Sequence, residues 1–383
     1  MRLNHLLTFG AAVAALVTAP LLANPPAVGL GADELLEPYY AKLAESVEMP
    51  LAPPNPELAA HATLTRIAFG SCNEQNNPQH MWELIAARDP QAFLFIGDNI
   101  YGDPTWDGGA DLGSLRAAYA KQSTHREFID FAARIPMLVT WDDHDFGFND
   151  GGASFAHRRF AEDIFETYWR SPADVRERDG VYMSRMYGGE GKRVQVILLD
   201  TRFFRSNLRR PKEGEEGPAT GRFLPNEDPQ ATVLGEAQWQ WLETELAKPA
   251  DLRVVVTSIQ LISTAHGWEA WYEMPRERQK LLDMLGSRAE SGLVVLSGDR
   301  HAGGIYELAQ GDETITEITS SSLNVSYSTT AQSTEREPDA DRVTDLIGEE
   351  NFGLIDIDWS ARELTLTLLG NEGQTHAQRV IGW

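Results

Sequence analysis

The chain has 383 residues, and its 57 acidic side chains against 33 Lys and Arg give a formal net charge of −24. This acid excess argues against stable, sequence-independent binding to nucleic acid or to an anionic membrane, because no excess of basic side chains is available to displace counterions. A hydrophobic content of 42% with 23% charged residues excludes a disordered chain and predicts a sizeable core. Cys72 is the only cysteine, so no intrachain disulfide can form.

The N-terminal segment predicts export. Arg2 precedes an apolar run from Leu6 to Val17, and Pro20-Leu21-Leu22-Ala23 follows. The run is too short for a membrane span, which needs about 20 apolar residues, and it is typical of a secretory signal peptide over residues 1–23. An uncleaved N-terminal anchor is the alternative. No later stretch is apolar enough to span a bilayer, so we expect a periplasmic or secreted protein without a transmembrane segment.

The next segment predicts an arm that leads into one folded domain. Residues 24–60 are rich in Pro and Ala, with a short helix expected around 33–46. From residue 61 to 383, apolar runs typical of buried strands alternate with stretches of helical spacing, which predicts an α/β layered fold. The predicted strands are 66–69, 92–96, 137–141, 194–199, 253–258 and 293–296, and the predicted helices are 79–87, 115–133, 155–168, 236–246 and 276–285.

Two later regions have a different pattern. Successive short strands at 304–308, 314–319, 353–357 and 364–369 predict an antiparallel sheet edge or a second sheet. The charged segment 205–234 contains several Pro and Gly residues and has no periodicity. A stretch of that length is usually a functional lid or a surface loop.

Polar residues follow five of the predicted strands, where ligands bind in layered α/β folds. They are Ser71-Cys72-Asn73, Asp98-Asn99-Ile100-Tyr101, Asp142-Asp143-His144-Asp145, Asp200-Thr201-Arg202 and Asp299-Arg300-His301. Each alone has an ordinary explanation as a cap, a turn or a packed side chain. Together they gather many acids on one rim, which costs free energy unless cations lie among them. The pattern therefore predicts metal ions.

The mixture of donor atoms narrows the choice of metal. A thiolate, a phenolate and imidazole beside carboxylates suit one redox-capable or borderline ion next to one hard, oxygen-binding ion. A tyrosinate ligand favours ferric iron. If all the anionic candidates bind ionised, their charge equals that of one Fe³⁺ with one Ca²⁺; these candidates are Cys72, Asp98, Tyr101, Asp143 and Asp299. The predicted cofactors are Fe³⁺ and Ca²⁺, with the identity of the second ion left open.

Six blocks of this sequence resemble the alkaline phosphatase D (PhoD-like) family of calcineurin-like metallophosphoesterases. The blocks are 69–72, 97–101, 140–145, 199–202, 235–239 and 297–301, in the family's order across residues 66–305. The resemblance implies a four-layer α-β-β-α sandwich of two mixed sheets flanked by helices, with a dinuclear site at the strand ends. Ser71-Cys72-Asn73 replaces the superfamily's first Asp-x-His, as it does in the PhoD-like branch. No histidine follows the fifth strand, and His266 lies several residues further on.

The resemblance also implies roles for individual residues. Asp98 would bridge two ions, with Cys72, Tyr101 and His301 on ferric iron. Asp143 and Asp299 would bind the second ion, and His144 would face the leaving group. Further candidates for contacts to the ligands or to substrate are Asn73, Asp142, Asp145, Asn149, Asp200 and Trp268.

The implied activity is hydrolysis of a small phosphate ester by a hydroxide activated between two metals, with His144 supplying a proton to the leaving group. Arg202 is a candidate clamp for a phosphate oxygen, and an ion pair with an acid such as Asp200 is the alternative. Trp268, like Trp271 and Tyr272, either walls the pocket or anchors a loop on the core.

Other functions stay open at this point. The same core can cut diesters, so phosphodiesterase or phospholipase-type activity on nucleotide or lipid head-group diesters is one alternative. A non-catalytic calcium-binding surface module, suggested by the acid count, is the more distant one. No protein partner and no sequence-specific binding to nucleic acid are predicted.

Overall fold

A computed structural model describes residues 31–288, 292–327 and 337–383. The predicted signal peptide, residues 1–23, and the start of the predicted arm lie outside the described residues. The helices are α1 (Ala32–Ala44), α2 (Met81–Ala86), α3 (Gly113–Gln122), α4 (Arg126–Ala132), α5 (Asp143–Phe146), α6 (Arg158–Trp169), α7 (Ala173–Arg176), α8 (Gly235–Leu246) and α9 (Pro275–Gly286). None of these helices is long and apolar enough to cross a membrane.

The strands form two mixed sheets. They are β1 (Arg66–Gly70), β2 (Ala92–Ile96), β3 (Met137–Thr140), β4 (Met183–Tyr187), β5 (Val194–Leu198), β6 (Leu252–Val256), β7 (Leu293–Ser297), β8 (Gly303–Gln310), β9 (Glu313–Ser320), β10 (Asn351–Asp358), β11 (Glu363–Gly370) and β12 (Thr375–Gly382). The first sheet has the order β12-β11-β10-β1-β2-β3 and the second β4-β5-β6-β7-β9-β8. Parallel pairing joins β1, β2 and β3 in one sheet and β5, β6, β7 and β9 in the other.

Side-chain alternation along these strands produces the layers. Ile67 of β1 and Val254 of β6 belong to the hydrophobic core between the sheets. Their neighbours Ala68 and Val255 point outwards, the first into a core shared with α1 to α4 and α6 and the second into a core shared with α8 and α9. Because strand side chains alternate between faces, each buried strand contributes side chains to two hydrophobic cores. The result is the four-layer α-β-β-α sandwich that the sequence predicts.

One of the predicted elements is wrong, and one open alternative is decided. The single helix expected over 115–133 is divided into α3 and α4. At the break, Thr124 Oγ1 donates to Lys121 O over 2.7 Å, so a side chain competes for a helical carbonyl, and His125 Nε2 lies 2.8 Å from Gln75 O outside the helix. Of the two alternatives for the antiparallel C-terminal strands, the structure has the sheet edge and not a separate sheet, because β10 to β12 extend the first sheet and β8 and β9 extend the second.

Candidate metal centre

The candidate ligands lie where strands of both sheets end. Cys72 follows β1, Asp98 follows β2 and Asp143 follows β3, whereas Asp299 and His301 follow β7 of the second sheet. Four of these residues adopt a left-handed backbone, with φ of 58° at Cys72, 48° at Asp98, 66° at Asp299 and 53° at His301. Non-glycine residues rarely adopt this strained conformation, and it clusters at functional sites.

Glycines allow the loops of the two sheets to approach each other here. Gly97 has φ of 115°, and a Cβ atom on it would lie 2.7 Å from Asp142 Cβ and 3.2 Å from Ser258 Cβ. A Cβ atom on Gly298 would collide with the Ser71 hydroxyl. Any larger residue would therefore push the loops apart.

One group of donors gathers at the end of β1 and β2. Ligand atoms of Cys72, Asp98 and His301 lie within 4.8 Å of one another. The Cys72 Sγ atom is 3.3 Å from Asp98 Oδ2, and the Tyr101 hydroxyl is 3.4 Å from the same oxygen and 2.9 Å from His301 Nε2. A thiol, a phenol, an imidazole and a carboxylate thus face a common point, and this donor set suits a transition-metal ion such as iron.

A second group consists of carboxylates. Oxygens of Asp98, Asp142, Asp143 and Asp299 also lie within 4.8 Å of one another, so Asp98 belongs to both groups. Among the described residues, Asp142 Oδ2 and Asp143 Oδ1 are buried without a hydrogen-bond partner. An all-oxygen set with buried, unpartnered lone pairs suits a hard cation such as Ca²⁺.

The electrostatics of both groups favour a bound cation. Burial raises the pKa of the Cys72 thiol to about 11, and burial together with Asp143 and Glu269 raises the pKa of Asp299 to about 8. Burial and the neighbouring Cys72 also raise the pKa of Asp98. These groups resist ionisation as long as only protein surrounds them. Positive ions would reverse this effect, and the residues present therefore fit a metal centre.

His144 is held at the edge of the carboxylate group. Its Nδ1 atom lies 2.6 Å from Asp103 Oδ1, its backbone N–H donates to Asp98 Oδ1 over 3.3 Å, and its ring stacks on Tyr101 at 4.0 Å. Burial opposes the charged form of His144, but Asp143, Asp98 and Asp103 outweigh it and raise its pKa to about 11. Asp103 therefore orients the imidazole, a role that the sequence analysis did not assign to it.

Arg202 is fully buried in a network of ion pairs. Its guanidinium contacts the Asp142 carboxylate, and its Nη1 atom lies 2.6 Å from Glu269 Oε2. Glu269 also pairs with Arg205, at 3.0 Å. Arg202 donates to Asp200 only through its backbone N–H, at 2.8 Å. The geometry favours the ion-pair alternative for Arg202, with Asp142 and Glu269 as partners instead of Asp200.

Three more of the predicted residues make contacts that shape the loops. Asp145 accepts the backbone N–H groups of Asn99, at 3.1 Å, and of Asp142, at 2.5 Å. Asn73 donates to Asn99 O over 3.2 Å. Asp200 also accepts Phe203 N and Val181 N, at 2.9 and 3.0 Å. These side chains form hydrogen bonds with the backbone of the loops, so they stabilise the loops that carry the candidate ligands.

A cavity of about 220 Å³ lies beside the two donor groups and His144. Its lining contains the expected Asp143, His144, Asn149, Trp268, Asp299 and His301, and also Asp150, Arg222, Glu269, Arg300 and Tyr327. Asp150 and Glu269 bring carboxylate oxygens within 4.8 Å of Asp143. Glu269 stands beside Trp268 in the sequence, but no strand end marks it. His266 does not line the cavity, because its Nε2 atom lies 2.9 Å from Gln260 Oε1 in the interior.

The fold and the site together define a class of protein: a four-layer α/β sandwich that gathers candidate metal ligands from the strand ends of both sheets beside one acidic cavity. Comparison with known sequences specifies the family. Residues 67–368 match the sequence model described as PhoD-like phosphatase, and the chain belongs to this family.

Individual relatives agree with this assignment. Alkaline phosphatase D of Bacillus subtilis (strain 168) is 24% identical over 283 residues, which cover 64% of this chain and 47% of the relative. The chain thus spans about half the length of that relative. The solved structure of PhoD superposes with a TM-score of 0.61 at 17% identity, covering 85% of this chain and 69% of the other, and supports the fold.

Proposed function

We propose that this protein is an exported, metal-dependent hydrolase of phosphate esters, with residues 61–383 as its catalytic domain. The observation that carries the proposal is the convergence of two donor groups on Asp98, beside a cavity that His144 lines together with Asp143, Asp299 and His301. Family membership and the phosphatase name of the Bacillus subtilis relative support the same activity.

Two sets of residues would hold the metals. Cys72, Tyr101 and His301 with Asp98 would hold Fe³⁺, and Asp98, Asp143 and Asp299 would hold Ca²⁺. Asn149, which lines the cavity, is a further candidate ligand of the second ion. When bound, such ions activate a water molecule and neutralise charge on the phosphoryl group.

The protein itself would supply the proton for the leaving group. Asp103 binds Nδ1 of His144, so Nε2 remains for the ester oxygen that departs. The Tyr101 ring stacks against the imidazole and fixes its plane. The hydrogen bond from the His144 backbone N–H to the Asp98 carboxylate fixes the position of the proton donor relative to the candidate ligand that both donor groups share.

Arg202 would act as a positioning residue. Its buried guanidinium holds Asp142 at the end of β3 and Glu269 on the cavity wall, and it is not exposed to the cavity. It would therefore fix the carboxylates around the metals and leave contact with phosphate to other groups.

Parallel assays with 4-nitrophenyl phosphate and bis(4-nitrophenyl) phosphate test the activity and separate a monoesterase from the alternative phosphodiesterase. Replacing His144 with Ala should reduce turnover by about 10²-fold or more while bound metal persists. An unchanged rate would contradict the proposed role of His144. Calcium binding without hydrolysis of either ester would favour the non-catalytic calcium-binding module instead.

Metal analysis combined with the visible spectrum tests the cofactors. Ferric iron bound by tyrosinate and thiolate absorbs visible light, so the Tyr101→Phe variant should have a weaker colour. An iron-free and colourless protein with full activity would contradict the assignment of Fe³⁺. N-terminal sequencing of the protein recovered outside the cytoplasm tests the cleavage proposed after residue 23.

A further inference from the structure

The rim of the cavity differs in chemistry from its floor. The floor consists of carboxylates, among them Asp143, Asp150 and Asp299, which suit cations and the phosphoryl group that those cations attract. Two aromatic side chains, Trp268 and Tyr327, line the same cavity, and Tyr327 is 53% exposed. The volume of about 220 Å³ is below that of pockets that enclose a whole organic ligand, about 300 Å³ or more. The organic part of an ester must therefore extend over this rim.

Backbone contacts hold Trp268 in place. Arg222 N and Phe223 N donate to Gly267 O over 2.8 and 2.7 Å, and Gly267 N donates to Thr220 O over 2.7 Å. These bonds join the charged segment 205–234 to the chain immediately before Trp268. The segment is therefore a wall of the cavity, and its contact at Gly267 determines where Trp268 lies.

Arg222 lies beside the Trp268 indole. Its guanidinium carbon is 5.9 Å from the centre of the Trp268 ring, and its side chain also pairs with Asp150 on the floor. A guanidinium that is fixed at one end and lies over a ring restrains the orientation of that ring. Arg222 is therefore a positioning residue for Trp268.

Anchoring of the loop does not explain Trp268. The neighbouring Trp271 has that role, since it is fully buried and its indole N–H donates to Thr257 Oγ1 over 2.5 Å. Trp268 is only partly buried and faces the cavity. The backbone N–H of Tyr327 donates to His301 O over 2.8 Å, which ties the backbone of Tyr327 to a candidate metal ligand.

We propose that Trp268 and Tyr327 form a subsite for a planar aromatic group on the alcohol part of the substrate, as in an aryl or nucleoside ester. This inference rests on the proposed hydrolase function and specifies its substrate class. Aromatic rings stack on such side chains with a gain beyond that of burying the same apolar area. An aliphatic alcohol of equal size would not receive this gain.

The test compares 2-phenylethyl phosphate with 2-cyclohexylethyl phosphate, which differ in the aromaticity of the ring while their leaving alcohols have similar basicity. Phosphate release gives kcat/KM for each ester, and their ratio is the aromatic preference. The wild type should prefer the phenyl ester, and Trp268→Ala should reduce the ratio about fivefold. Trp268→Phe should retain most of the preference, and Tyr327→Leu should reduce it.

Tyr39→Leu is the matched control, because Tyr39 is 46% exposed on α1 and does not line the cavity. The ratio is measured within each variant, so a general loss of activity does not affect it. Hydrolysis of both esters with an unchanged ratio in Trp268→Ala would overturn the subsite alone. Absence of hydrolysis of both esters and of bis(4-nitrophenyl) phosphate by the metal-loaded wild type would overturn the hydrolase function on which the subsite rests.

Discussion

Replacing Arg202 with Met should weaken the fold far more than removal of a surface arginine. The side chain of Arg202 has no exposure, and its partners Asp142 and Glu269 are each 1% exposed. Without Arg202, the Asp142 charge has no basic partner and Glu269 keeps only Arg205. Removing one member of a buried ion pair costs about 3–5 kcal/mol, because an uncompensated charge stays in the interior.

Urea unfolding followed by tryptophan fluorescence measures this loss. With a slope of about 3 kcal/mol per M, the midpoint should fall by about 1 M or more. Arg185→Met is the control, because the Arg185 and Asp174 side chains are 29% and 56% exposed and such a pair contributes about 0.2–1 kcal/mol. A midpoint equal to that of the control, together with a raised KM, would refute the structural role and favour direct contact between Arg202 and phosphate.

Three other predictions concern the proton donor, the dependence of stability on pH and the metals. Asp103→Asn should reduce kcat about tenfold or more, with the largest loss for esters of poor leaving groups, since His144 loses its charged partner; equal losses for all leaving groups would contradict this. Burial raises the pKa of Glu162 to about 9, so the folded protein keeps a proton that the unfolded chain releases above about 4.5, and stability falls as pH rises between these values. Glu162→Gln should remove about 1.4 kcal/mol of this fall per pH unit, and parallel curves of unfolding temperature against pH for the two proteins would refute it. Chelation should lower the unfolding temperature and readded metal should restore it, because metal at a hundredfold excess over Kd raises the free energy of unfolding by about 3 kcal/mol. An unfolding temperature unaffected by chelator would count against bound metals.

The strands and the proposed ligands could be read from the sequence because both depend on local patterns. A buried parallel strand is a continuous apolar run, and its last residue marks the sheet edge where chemistry gathers. For this reason the sequence predicts that Cys72, Asp98, Asp143 and Asp299 lie at one rim, and the structure places them in two groups that share Asp98. Their roles as ligands remain predictions.

Features that depend on tertiary contacts could not be read in this way. The strands β4 and β12 lie at sheet edges and have mixed polar sequences, so they lack the apolar run of a central strand. Asp103, Glu269 and Arg222 come from loops, where no periodicity indicates which side chain reaches the cavity. Their contacts arise only when the two sheets pack and bring distant loops together.

The origin of the candidate ligands in both sheets has a consequence for folding. Cys72, Asp98 and Asp143 belong to one half of the sandwich, and Asp299 and His301 belong to the other. An ion held by both halves would be a cross-link between them, so its binding free energy would add to the free energy of unfolding. Selection for tighter metal binding would then also select for a protein that unfolds less readily.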